Sequence, residues 1–148
     1  MIKKVEIKEK EETALSKQTS KTAKQEKPTL KVIPLGGLEE VGKNMTLLEY
    51  DKNIIIIDMG LKFAEEDMPG VDFIIPSIDY LKDKKDWIKG IFITHAHYDH
   101  IGAIPYLIDK LGYPVIYTTL LSKGIILKRQ EDFPSMKKLH IEVINKDN

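Results

Sequence analysis

Cysteine is absent from the 148 residues, so the chain holds no disulfide framework, no thiolate nucleophile and no Cys-ligated zinc or iron–sulfur site. Any metal must therefore sit on His, Asp or Glu. Excess charge is lacking too. Twenty-three Lys and Arg balance 23 Asp and Glu, which argues against a whole-surface electrostatic grip on nucleic acid or membrane, though not against a local basic patch. No apolar run approaches the ~18 residues of a membrane span. The start, Met1–Lys10, carries charges where the apolar core of a secretory leader would lie. A soluble, cytoplasmic protein with no membrane partner is the expectation. The length suits one domain, or part of a larger one, and suffices to bury a core.

Residues 1–28 stand apart, with eight Lys and five Glu among Ser, Thr and Gln and almost nothing to bury. Such a composition cannot offset its ordering entropy, so a disordered tail is expected there, with a folded unit over 29–148. A weakly basic tail can touch RNA or an acidic partner; a solvated leader without a partner explains it equally well.

From Thr29 the pattern turns globular. Leu30–Leu35 and Met45–Tyr50 read as strands, and Asp51-Lys52-Asn53 supplies turn chemistry before Ile54–Ile57, which makes a hairpin. Four successive isoleucines suggest burial on both sheet faces. A long loop is expected from Gly60 to about Pro76, then a short helix within Ser77–Lys85. Gly90–Thr94 reads as a buried strand candidate that ends at His95. Ile104, Leu107, Ile108 and Leu111 predict a helix over Gly102–Leu111, closed by Gly112 and Pro114. Val115–Thr118 reads as a strand, Leu120 to about Glu131 as a helix, and Leu139–Ile144 as a strand. This alternation sets the class as α/β.

Three of the four histidines fall within Thr94-His95-Ala96-His97-Tyr98-Asp99-His100. In extended backbone, residues two apart point the same way, so His95 and His97 can address one point. Asp99 and His100 follow where the next helix should begin. Imidazole and carboxylate suit Zn²⁺, Mn²⁺ or Fe²⁺. Four protein donors on one ion would close its shell. Two donors for each of two ions would leave positions for water and substrate, as hydrolysis needs.

An HxHxDH run after an apolar strand resembles the signature of the metallo-β-lactamase superfamily, an αββα sandwich around a one- or two-metal hydrolytic centre. The resemblance implies that His95 and His97 bind a first metal, Asp99 and His100 a second, and that Asp58 in Ile57-Asp58-Met59-Gly60 braces the ligand loop. Leu35–Asn44, Ile57–Phe63, Val71–Pro76 and Gly90–Thr94 running into the histidines resemble the opening of the bacterial ribonuclease J family. Ala96 and Tyr98 stand where that family often has Gly and Glu; neither is a ligand position.

That resemblance implies an α/β fold comprising the N-terminal half of the sandwich, truncated before the later ligands and an inserted β-CASP domain. It implies two divalent ions, Zn²⁺ first with Mn²⁺ or Mg²⁺ as alternatives, and single-stranded RNA as substrate. The activity implied is hydrolysis of RNA phosphodiesters by metal-activated hydroxide, 5′ to 3′ or internally, in RNA maturation and decay. Asp99 would orient that nucleophile or accept its proton. A homo-oligomer, dimer or tetramer, is implied for the complete protein, and inactivity for this stretch alone. Two other functions stay open: hydrolysis of a small ester or thioester, and RNA binding without catalysis.

Other features read more plainly. Gly37–Lys43 fits GxxxxGK, but Asn44 replaces the Ser/Thr of a P-loop and a strand follows instead of a helix. Lys128 and Arg129 read as a solvated helix face, Trp87 as packing and His140 as a strand residue. Tyr98, between two ligands, is a candidate to line the substrate cleft.

Overall fold

The first hairpin turns on two residues in left-handed backbone, Asp51 (φ 42°) and Lys52 (φ 58°). A two-residue type I′ loop needs that conformation at both positions. It joins β2 (Met45–Tyr50) to β3 (Asn53–Ile57), and the Asn53 side chain donates to the Asp51 carbonyl at 2.8 Å. β1 (Lys31–Gly36) pairs antiparallel with β2 from the outside, with an irregularity between Pro34 and Gly36. Pro34 lacks an N–H and suits this edge.

The computed structural model describes residues 27–145, so the tail expected over 1–28 lies almost wholly outside the described residues. Within the expected 60–76 loop, β4 (Lys62–Phe63) and β5 (Phe73–Ile74) form a small antiparallel ribbon. The helix expected in Ser77–Lys85 is instead two 3₁₀ turns, Asp79–Leu81 and Lys85–Trp87. β6 (Ile88–Phe92), β7 (Ile116–Thr118) and β8 (Ile141–Val143) then extend the main sheet, whose order is β1-β2-β3-β6-β7-β8. Pairing is antiparallel up to β3 and parallel from β3 to β8.

Of the helix expected over Gly102–Leu111 only α2 (Ile104–Leu107) forms, and a separate helical turn, α1 (Tyr98–Ile101), precedes it. Pro105 has no N–H for the carbonyl of Ile101, and its ring would collide with it, so one helix cannot run through. Gly112 (φ 85°) and Tyr113 (φ 58°) end the segment, with Tyr113 N–H donating to the Ile108 carbonyl at 3.0 Å. α3 (Leu120–Gln130) is capped by Thr119, whose Oγ1 accepts from the Ser122 N–H.

Register places Leu47, Ile56, Ile91, Ile116 and Ile141 in one row across the sheet, each at most 5% exposed. Ile101, Ile104, Leu107, Ile108 and Leu111 belong to the same core. Each such side chain stabilises the fold by about 1.5–3 kcal/mol. The opposite face carries Val32, Leu48, Ile55, Ile57, Phe92 and Tyr117, all at least partly exposed, with Val32 at 63%. Two-sided burial of the isoleucine run is thus corrected: Ile54 and Ile56 are fully buried, whereas Ile55 and Ile57 are half-covered. One sheet with its helical segment on one face is half of a layered sandwich.

A charge is buried in β2. Glu49, 5% exposed, lies 2.9 Å from the ammonium groups of Lys31 and Lys84 and accepts from the Tyr80 hydroxyl at 2.9 Å. Burial alone would push its pKa up, but the hydrogen bonds from Lys84, Lys31 and Tyr80 win and hold it at about 2. This cluster ties the edge strand and the 3₁₀ segment to the sheet. Among the described residues, no helix is long and apolar enough to cross a membrane.

Candidate metal centre

Three chain segments meet beyond the ends of β3 and β6. Asp58 N–H donates to the Phe92 carbonyl at 2.9 Å, Met59 N–H to His100 O at 2.7 Å and Leu61 N–H to Tyr98 O at 3.1 Å. The loop before β2 joins them, with Asn44 N–H donating to Asp99 O at 3.1 Å and Gly60 N–H to Asn44 O at 2.8 Å. A Cβ on Gly60 would fall 1.5 Å from the Asp99 carbonyl oxygen, so only glycine allows this approach. The backbone at 58–61 therefore fixes where Asp99 and His100 sit.

Asp58 is 5% exposed and adopts φ 61°. Its Oδ1 accepts the Thr94 N–H at 2.8 Å, and the Thr94 hydroxyl lies 3.0 and 2.9 Å from the two carboxylate oxygens. Oδ2 is 2.8 Å from His100 Nδ1. The bonding pattern assigns the tautomer: His100 Nδ1–H donates to Asp58 and leaves Nε2 as an acceptor. His95 Nδ1 is 3.1 Å from Thr94 Oγ1, which likewise frees its Nε2.

The predicted donors come together as two pairs. His95 Nε2 and His97 Nδ1 are 3.1 Å apart, and His100 Nε2 and Asp99 Oδ2 are 3.2 Å apart. The His95 and His100 rings, with centroids 4.0 Å apart, link the pairs. Two donors at ~2.0–2.1 Å on a tetrahedral ion stand about 3.3 Å from each other, so each pair matches the bite of one ion. Among the described residues, no three His, Asp or Glu side chains form a ready metal cluster. The four donors stand as two pairs, not around a single point. The donor set is all nitrogen and oxygen, and the carboxylate on His100 Nδ1 is the partner that metal-bound imidazoles ordinarily have.

Asn44, which the sequence marks as the residue that spoils a P-loop and as the end of a family-like stretch, reaches into the site. Its Nδ2 donates to Asp99 O at 3.0 Å and to Oδ2 at 3.2 Å, and lies 3.3 Å from His100 Nε2. Long-range pairing across 55 residues leaves no local signal. Around it, the loop has positive φ at Gly37, Glu39, Gly42 and Lys43, and it leads into β2 without a helix. Glu40's carboxyl is held below its ordinary pKa by the Lys43 ammonium and the Gly37 N–H. With Lys43 paired to Glu40 and a strand after it, this loop lacks the helix N-terminus and free lysine of a P-loop.

Tyr98 is 41% exposed, near Phe63, with ring centroids 6.2 Å apart. His140 lies away on the strand edge with Glu142 at 2.7 Å. Lys128 pairs with Glu131, and Trp87 packs against the core.

Comparison with known proteins follows this geometry. The sequence model of the metallo-β-lactamase superfamily matches residues 38–144. Ribonuclease J of Mycoplasma pneumoniae is 47% identical over 111 residues, which are 75% of this chain and 20% of that protein. Ribonuclease J of Helicobacter pylori is 52% identical over 100 residues, 68% of this chain and 14% of that protein. The chain thus spans a fifth or less of the length of these relatives. The crystal structure of human tRNase Z, short form, superposes with a TM-score of 0.46 at 20% identity, covering 78% of this chain and 47% of that chain. From the glycine-rich loop before β2 to the end of β8, the matched span takes in the histidine loop and nearly all of the sheet, and the chain belongs to the metallo-β-lactamase superfamily.

Proposed function

We propose that the complete protein is a metal-dependent ribonuclease, and that this chain is the N-terminal part of its metallo-β-lactamase domain. His95 Nε2 and His97 Nδ1 would hold one divalent ion and Asp99 with His100 Nε2 a second, Zn²⁺ before Mn²⁺ or Mg²⁺. Bound there, such ions acidify water and neutralise charge on a phosphodiester. Asp58 sets the His100 tautomer and, through Thr94, that of His95. Asn44 holds the Asp99 carboxylate, which orients the attacking water and takes its proton. Two donors for each ion make an incomplete shell, so this stretch alone is inactive, and the remaining ligands and a β-CASP insertion belong to the rest of the protein. The substrate is single-stranded RNA, degraded 5′ to 3′ or cut internally during maturation and decay in the cytoplasm by a dimer or tetramer.

What supports this most is the pair of donor bites braced by Asp58, in a chain similar to proteins named Ribonuclease J. The test is the complete protein on 5′-monophosphorylated RNA and, in parallel, on a generic thioester. RNA should be cleaved, chelator should stop it, and Zn²⁺ or Mn²⁺ should restore it. Thioester hydrolysis with intact RNA would replace this function with a small-ester hydrolase. RNA binding without hydrolysis of either substrate would replace it with a binding module.

A further inference from the structure

The histidine loop is flanked by a surface the metal chemistry does not use. Tyr98 lies between His97 and Asp99 in sequence and keeps 41% of its surface exposed, and Phe63 beside it keeps 64%. Behind Tyr98, Arg129 of α3 places its guanidinium carbon 5.1 Å from the Tyr98 ring centroid and 5.1 Å from that of Phe133. Rings continue from there: Phe133 meets Tyr106 edge-on at 5.5 Å, and Tyr106 meets Phe73 of β5 at 4.6 Å. Arg129 Nη1 bonds to Asp132 at 3.1 Å, but its buried Nε has no hydrogen-bond partner among the described residues. An unpaired buried N–H is unfavourable. The guanidinium is held there by two aromatic faces, the contact Arg makes best. The sequence reading of Arg129 as a solvated cation is thereby corrected.

The neighbouring rim has the opposite character. Glu39, Glu40, Glu65 and Lys62 line, with Val41, a cavity of about 560 Å³, and Lys43 and Lys62 there already pair with Glu40 and Glu65. That side repels a phosphate backbone. The Tyr98–Phe63 side offers flat apolar rings backed by a cation. Exposed rings beside a cation, next to a hydrolytic loop, fit a single-stranded nucleic acid, whose bases stack on aromatic faces whatever their sequence.

Resting on the ribonuclease reading of the adjacent loop, we propose that Tyr98, with Phe63, is a nucleobase-stacking ledge for the substrate strand, and that Arg129 is the positioning residue that holds Tyr98 in place. The test uses the complete protein and 5′-monophosphorylated RNA carrying 2-aminopurine at successive positions. Tyr98→Leu should raise KM roughly 5- to 150-fold, the range single-base stacking implies, with a much smaller fall in kcat. It should also abolish the fluorescence quenching seen at one position. Tyr98→Phe should recover most of the affinity. Arg129→Met, which removes the cation behind the Tyr98 ring, should weaken RNA binding in the same direction by less, and Arg129→Lys should recover part of that loss. Wild-type KM in Tyr98→Leu, or a loss confined to kcat, overturns the ledge while RNA cleavage by the wild type leaves the nuclease reading standing. A change of oligomeric mass in Tyr98→Leu without any change in RNA affinity makes the surface a protein contact and also overturns it. Failure of the wild type to bind or cleave RNA is a failure of the underlying reading.

Discussion

Replacing Asp58 by Asn changes one atom and reverses the logic of the brace. The amide keeps an oxygen for the Thr94 N–H, now met at 2.8 Å, and Asn tolerates φ 61° as well as Asp. Its NH₂, however, would face His100 Nδ1, which is 2.8 Å from Asp58 Oδ2. Two N–H groups cannot share that line. The imidazole must carry its proton on Nε2 instead, and the atom offered to the metal becomes a donor. The bond lost is charge-assisted and worth about 1.5–3 kcal/mol, which corresponds to roughly 10- to 150-fold in an equilibrium constant. Loss of a carboxylate behind a ligating His typically weakens metal binding by about 10–100-fold, the same range. The assay is titration of the complete protein with Zn²⁺ against a chromophoric chelator, with circular dichroism to confirm the fold. Wild-type metal affinity in a folded Asp58→Asn protein would refute the assignment of Asp58 to His100.

Other outcomes follow from the same structure. Glu49→Gln should destabilise the fold by about 1.5–3 kcal/mol at neutral pH, because the charge-assisted hydrogen bonds from Lys84 and Lys31 to the buried carboxylate are weakened. Because the Glu49 pKa is held at about 2 against an ordinary 4.5, its contribution is complete above about pH 4.5 and fades as pH falls toward 2. Urea midpoints of the two proteins should converge below pH 4.5, and a gap that persists at pH 2 would be the wrong result. Gly60→Ala drives a Cβ into the Asp99 carbonyl and should cost about 3 kcal/mol or more, read as a lowered thermal midpoint; a wild-type melt would contradict the close approach. The 148-residue chain alone should bind a hydrophobic dye or self-associate, because Val32, Leu48, Ile55 and Phe92 lie on an incompletely covered face. A sharp monomeric melt without dye binding would count against that.

Local chemistry made some of this legible and long-range contact hid the rest. Asp51 and Lys52 sit between two apolar runs, so the hairpin could be read directly, although Asn53, expected in the turn, pairs with Tyr50 as the first residue of β3. The histidine loop was visible because residues two apart in extended backbone share a side, and His97 is extended, with φ −72° and ψ 152°. The helix expected over 102–111 starts only at Ile104, because Pro105 is tolerated only in a first helical turn, and its apolar spacing hid that. The roles of Asn44 and Glu49 could not be read, since their partners lie 55 residues on for Asn44 and 18 to 35 away for Glu49. Arg129 looked solvated because its helix turn is charged, while of the two rings against it Tyr98 comes from a distant element and Phe133 from the turn just after α3. The isoleucine run showed how apolar β3 is but not that one face would remain only half-covered.

The central claim is that the loop at residues 95–100 carries divalent metal for hydrolysis. It is tested most directly by elemental analysis of the dialysed complete protein, wild type and His97→Ala, with RNA cleavage measured on the same samples. The account predicts two equivalents of metal and cleavage in the wild type, and loss of at least one equivalent of metal together with cleavage in a His97→Ala protein whose fold is unchanged. Cleavage at the wild-type rate by metal-stripped His97→Ala in chelator-treated buffer would contradict it.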